Sequence, residues 1–230
     1  MFYIKNNTQR AKEIIIIFWV NLGISVINTA SLSSQYLLLK GVEENPESID
    51  MPKLEISDLI QNIFNISTLV ISLLTIVYFI RWFRRAYNNL HQLPGTNPSF
   101  TEGWAAGSWF VPILSWFRPF QIMREIWDGT QRVITHRLSV LHSNSIIGIW
   151  WGLYLVMSIY NNIVSRITWN AKEIGELITA TQLQLIGEAI SWPALIVAIV
   201  LVRRTSLLEM ELWFESQEPS ESVFSIANST

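Results

Sequence analysis

The chain contains no cysteine, and that absence excludes disulfides, thiolate nucleophiles, Cys-ligated zinc and iron–sulfur clusters. Charge is scarce as well, with 15% Asp, Glu, Lys and Arg against roughly 25% in an ordinary soluble domain. The three histidines, His91, His136 and His142, fall in no H-x-x-x-H or H-E-x-x-H spacing, so no metal site is expected. G-x-S-x-G, P-loop and dinucleotide fingerprints are missing too, which leaves no catalytic residue to name and argues against an enzyme without settling the matter. Nucleic-acid binding is unsupported, because the arginines lie among lipid-seeking aromatics. No cofactor is expected.

What the chain has in quantity is apolar and aromatic. Half of its 230 residues are hydrophobic and eleven are tryptophan, a residue favoured where an apolar phase meets water. Four stretches are long enough to cross a bilayer: about 14–39, 59–80, 143–165 and 177–202. The first follows Lys5, Arg10 and Lys12 and lacks the short core and A-x-A site of a signal peptide, so it reads as an uncleaved first span. The fourth is interrupted by Glu188 and Pro193 and stops at Arg203-Arg204. The expected fold is an all-α integral membrane protein, one membrane domain over 1–214. It has four transmembrane helices, cytoplasmic-side amphipathic or re-entrant helices in 81–137, and an acidic, disordered tail over 215–230.

The region 81–137 resists reading as a fifth span. Between Glu102 and Arg118 only the 15 residues Gly103–Phe117 are free of charge, about 22 Å as a helix against a hydrocarbon core of ~30 Å. With both termini inside, 12 of the 16 Lys and Arg fall on the inner side, the positive-inside pattern. A fifth crossing would destroy it. Gly103 and Gly107, with small residues between and after, suit a tightly packed helix. Arg81–Leu93 is two-faced, with Trp82, Phe83, Ala86, Tyr87, Leu90 and Leu93 on one side. The helix expected from Pro119 carries Gln121, Arg124, Asp128, Gln131 and Arg132 on its polar face.

WFRRAY (Trp82–Tyr87), GWAAGSWFVPI (Gly103–Ile113) and FRPFQIMREIW (Phe117–Trp127) resemble the hallmark pattern of the domain of unknown function 4328 family. The likeness extends over roughly 59–205 by the order of hydropathy. It implies a four-span core in the cytoplasmic membrane of a bacterium, and carries over no catalytic residue.

Three groups of candidate residues remain. Arg81, Arg84, Arg85, Arg118, Arg124 and Arg132 are suited to an anionic lipid headgroup, or serve only to set topology. Glu188, the one acidic residue within a span, is expected to gather with Gln184, Asn65, Asn161 and Arg166 into an intramembrane polar cluster. Trp104, Trp109, Trp116 and Trp127 form the aromatic motif, read as an interfacial belt. The leading functional reading is a subunit or scaffold that binds anionic membrane lipid, copies of itself or other membrane subunits at its cytoplasmic face. The alternative is a small ion or proton channel or transporter built on Glu188.

Overall fold

The computed structural model describes residues 3–48, 50–135 and 143–217. His136, Arg137, His142 and the chain beyond Gln217 lie outside the described residues. Within them the fold is all-helical: α1 (Thr8–Glu44), α2 (Met51–Gln92), α3 (Trp104–Gly107), α4 (Arg118–Thr135), α5 (Ser145–Asn170) and α6 (Ile174–Gln217), with 3₁₀ turns at Pro46–Ser48 and Leu114–Trp116. Four of these, α1, α2, α5 and α6, are long and apolar enough to cross a membrane, as the composition requires.

The long helices overrun their apolar stretches. α1, α2 and α6 have 37, 42 and 44 residues, about 55–66 Å at 1.5 Å per residue, well beyond the ~30 Å of a hydrocarbon core. The acidic segment 40–58 is thus mostly helix, interrupted only around Pro46, and Pro52 sits in the first turn of α2, where a missing N–H is no loss. At the other end α6 continues past Arg203-Arg204 to Gln217, so residues 215–217 are helical and not part of a disordered tail. Leu212 and Ser216 are buried there, and the Ser216 hydroxyl donates to the Trp213 carbonyl at 2.7 Å.

The chain divides into two compact units. One comprises Lys12–Ile80 and Ser145–Val202 and holds the apolar stretches of the four long helices. Large apolar side chains such as Ile27, Ile63, Leu73 and Ile196 face outward, the pattern of helices whose solvent is lipid. Inside it, helices are joined by aromatic and polar contacts. Phe79 stacks on Trp150 at 5.9 Å, Gln61 donates to Ser31 at 2.9 Å, and the Tyr160 hydroxyl donates to the Leu183 carbonyl at 2.6 Å. α5 and α6 meet closely at Gly187, where a Cβ would lie 3.1 Å from the Tyr160 ring.

The other unit comprises Met1–Ala11, Arg81–Asn144 and Arg203–Thr230. Its core is made by the family-like motifs: Trp82, Phe83, Tyr87, Ile122, Met123, Ile126 and Trp127 are fully buried. The two-faced reading of Arg81–Leu93 holds, since all six of its apolar members are buried. On α4 one assignment changes: Gln131 is buried, not on the polar face. Gly103–Phe117 is no fifth crossing helix. It is a four-residue helix, a turn at Pro112 and a 3₁₀ turn. Nor do Gly103 and Gly107 mark a close approach, for a Cβ at Gly103 meets nothing and one at Gly107 meets only Trp104, at 3.9 Å. The close approach in this unit is at Gly129, where a Cβ would collide with Leu90.

Candidate functional site

The end of α2 is built by its own sequence. Pro94 cannot continue the helix and Gly95 takes φ 73°, the left-handed conformation glycine adopts without steric cost. Thr96 then caps the exposed carbonyls, its hydroxyl lying 2.7 Å from the oxygen of Leu90 and 2.8 Å from that of Leu93. The loop turned back in this way, 95–100, faces the first turns of α4 across a cavity of about 580 Å³. Gln121, Arg124, Glu125, Asp128 and Arg132 line its α4 side.

One wall is fixed by a hydrogen-bond network that joins the first and third motifs through the loop at Ser99 and Phe100. The Tyr87 hydroxyl donates to the Glu125 carboxylate at 2.8 Å, the Ser99 N–H donates to the same oxygen at 3.2 Å, and the Phe100 N–H donates to Tyr87 at 3.1 Å. Burial first, and then the neighbouring Glu125, push the Tyr87 phenol up from its ordinary value, so it stays a donor. The Arg118 guanidinium lies 3.9 Å over the Phe100 ring and 5.2 Å from that of Trp104, cation–π contacts worth about 1–2 kcal/mol where partly desolvated. Glu125 is therefore committed to the wall. Asp128 faces Arg124 at 3.6 Å, an exposed i,i+4 pair of little strength. Arg132 makes no ion pair among the described residues, so its guanidinium is the lining charge left for a ligand, beside the Arg124–Asp128 pair and the hydrogen-bonded Glu125.

The six candidate arginines do not form one group. Arg124 and Arg132 line the cavity and Arg118 is in its wall. Arg81 and Arg84 are exposed on α2, where the Arg81 carbonyl accepts from Arg10 at 2.9 Å. Arg85 is half-buried, close enough to Glu209 to act on its charge. The aromatic motif also separates: Trp127 is fully buried, Trp109 meets Phe83 edge-on at 6.0 Å, Trp104 holds Arg118, and Trp116 is exposed.

In the membrane-like unit Glu188 is half-buried, but its neighbours are not the expected ones. Asn28 Nδ2 donates to one carboxylate oxygen at 2.7 Å and the Ser25 hydroxyl donates to the other, both from α1. Gln184 is 3.4 Å from the Thr168 hydroxyl, and Asn65, Asn161 and Arg166 are exposed. The expectation rested on matching depth in adjacent spans, and depth does not determine which helix a side chain faces. Ser25 and Asn28, three apart on α1, were the signal available.

A second buried carboxyl escaped the sequence reading. Glu209, on α6 beyond the apolar span, is 5% exposed. It accepts from Asn7 at 2.9 Å and from Asn89 at 3.0 Å. Asn89 also exchanges a reciprocal pair with the Lys5 backbone, at 3.0 and 2.9 Å. The spacing was legible: Val202, Thr205, Glu209, Leu212 and Ser216 are all buried, at helical intervals that continue past Arg203-Arg204.

A family model described as domain of unknown function (DUF4328) matches residues 45–206. No curated protein and no solved structure matches the chain. The matched segment covers α2 to most of α6, and with them all three motifs and the Tyr87–Ser99–Glu125 network. By that match, over more than half its length, the chain belongs to the domain of unknown function 4328 family.

Proposed function

We propose that this membrane protein is a non-enzymatic subunit or scaffold of the bacterial cytoplasmic membrane. Its arginine-bearing cavity binds the phosphate headgroup of an anionic lipid at the cytoplasmic face. The observation that carries the reading is the division of labour in the cavity lining. Glu125 is consumed by Tyr87 and Ser99, while Arg124 and Arg132 face the open volume and are suited to bidentate phosphate contacts. A lipid source is favoured over a free anion by the turn next to it in sequence, where Phe110, Ile113 and Trp116 are 72, 77 and 55% exposed. Such side chains are stabilised at a headgroup boundary and cost free energy in water.

The test is lipid retention. Protein extracted in mild detergent should carry anionic phospholipid measurable by mass spectrometry. The double variant Arg124→Gln, Arg132→Gln should retain roughly tenfold less, reflecting lost charge-assisted hydrogen bonds. A monodisperse monomer with neither lipid nor a protein partner overturns the reading.

Sidedness follows from the distribution of Lys and Arg, and the missing cysteines make it easy to measure. Single cysteines at Asn97, Ser143 and Thr179, all exposed positions, are to be treated with an impermeant thiol reagent on intact cells. Only Thr179→Cys should react from outside. Labelling of Asn97→Cys would reverse the assignment of both termini to the cytoplasm.

A further inference from the structure

Glu188 has no counter-charge of its own kind of depth: the four apolar stretches contain no Lys or Arg. A carboxylate there faces neutral donors alone, Asn28 and Ser25, in a setting where an uncompensated charge is costly. A helical register pin would not need the charge, because glutamine makes the same kind of contacts. Further oxygens lie close by, among them Ser191 Oγ, whose hydroxyl donates to the Glu188 backbone carbonyl at 2.8 Å. Asn28 Oδ1 is buried without a hydrogen-bond partner among the described residues. Ser191 Oγ lies 3.3 Å from Ser25 Oγ and 3.5 Å from the Glu188 carboxylate. Pro193 has no N–H, which leaves the Ala189 carbonyl without its usual helical donor one residue from Glu188. Trp192 Nε1 donates to Ser25 Oγ at 2.9 Å, fixing that hydroxyl with its hydrogen toward Glu188 and closing one side.

We propose that Glu188, Asn28, Ser25 and Ser191 form a binding site for a monovalent metal cation of the alkali class. All its donors are oxygens, which select hard cations. A single carboxylate is neutralised by one positive charge, whereas a divalent ion would leave an excess charge in a low-dielectric setting. A half-turn of the Asn28 amide exchanges its NH₂ group for the unpartnered Oδ1 and adds it to the ligand set. A proton would also neutralise Glu188, but it would leave the spare oxygens unused.

The full chain, purified in detergent, is assayed for radiolabelled Na⁺ binding and for displacement by K⁺, with choline chloride as the background at equal ionic strength. One saturable site per chain is expected, lost in Glu188→Gln and weakened about tenfold in Asn28→Ala, the worth of one buried polar partner. Binding of neither ion above the choline background overturns the proposal, and so does undiminished binding in Glu188→Gln. Should Glu188→Gln not fold, Asn28→Ala and Ser191→Ala keep the charge and decide the question, unchanged affinity in both being the overturning result. The site lies entirely in one unit, so lipid retention and cation binding stand or fall separately.

Discussion

Replacing Asn89 by alanine is expected to destabilise the protein by roughly 3 kcal/mol. The side chain is 3% exposed and makes three hydrogen bonds at once: it accepts from the Lys5 N–H, donates to the Lys5 carbonyl, and donates to Glu209. Alanine removes all three and leaves the Glu209 carboxyl, itself buried, with one partner fewer. Much of the expected loss comes from those stranded groups, since a hydrogen bond exchanged for one with water is worth only about 1 kcal/mol net. The segment preceding α1 is held to α2 here, so its proteolytic accessibility should rise together with the fall in stability. Titration with SDS in mixed micelles measures the first quantity and limited proteolysis the second. A loss below about 0.5 kcal/mol, the scatter of ordinary surface substitutions, with unchanged cleavage would show that Asn89 does not bind the segment.

The second large effect is on pH dependence. Burial pushes the Glu209 carboxyl up to about 7, against the hydrogen bonds from Asn7 and Asn89 and the charge of Arg85, all of which pull it down. The folded state thus holds its proton more tightly than the unfolded one. Below the ordinary glutamate value of about 4.5 both states are protonated and no penalty applies. As pH rises to about 7 the unfolded chain releases the proton first, and stability falls; above that the loss is complete. Its full size is roughly 3 kcal/mol. Glu209→Gln should remove this dependence and be the more stable form at pH 8. Glutamine fits because Asn7 Oδ1 is buried without a partner among the described residues and is able to accept from its amide. The readout is the difference in unfolding free energy between parent and variant from pH 4.5 to 8, in which other titrating groups cancel. Parallel curves would show that Glu209 ionises as it does in water.

These two effects are both placed where the sequence reading stopped short. Arg203-Arg204 ended the fourth apolar stretch but not the helix, because charge ends a lipid-facing surface and has no effect on backbone hydrogen bonding. Asn89 sits among Trp82, Ala86, Leu90 and Leu93 on the buried face of α2. Its polarity hid its position. The Tyr87–Glu125 bond joins residues 38 apart and needed the turn at Gly95 to bring them together. Glu188 was identified as the intramembrane acid, yet its partners came from α1, 160 and 163 residues away.

The sequence alone determined the number of long apolar helices, the two-faced character of Arg81–Leu93 and the failure of Gly103–Phe117 to form a further crossing. Each of these depends on composition, periodicity or length, which are properties of contiguous residues. Only the tertiary structure decided which polar groups meet: Arg124 and Arg132 on one cavity, Glu188 against Ser25 and Asn28, Glu209 between Asn7 and Asn89. Hydrophobic burial is non-directional and shows itself as a local pattern. A hydrogen bond is directional, and its partner is fixed by how helices are rotated against one another, which no local pattern records.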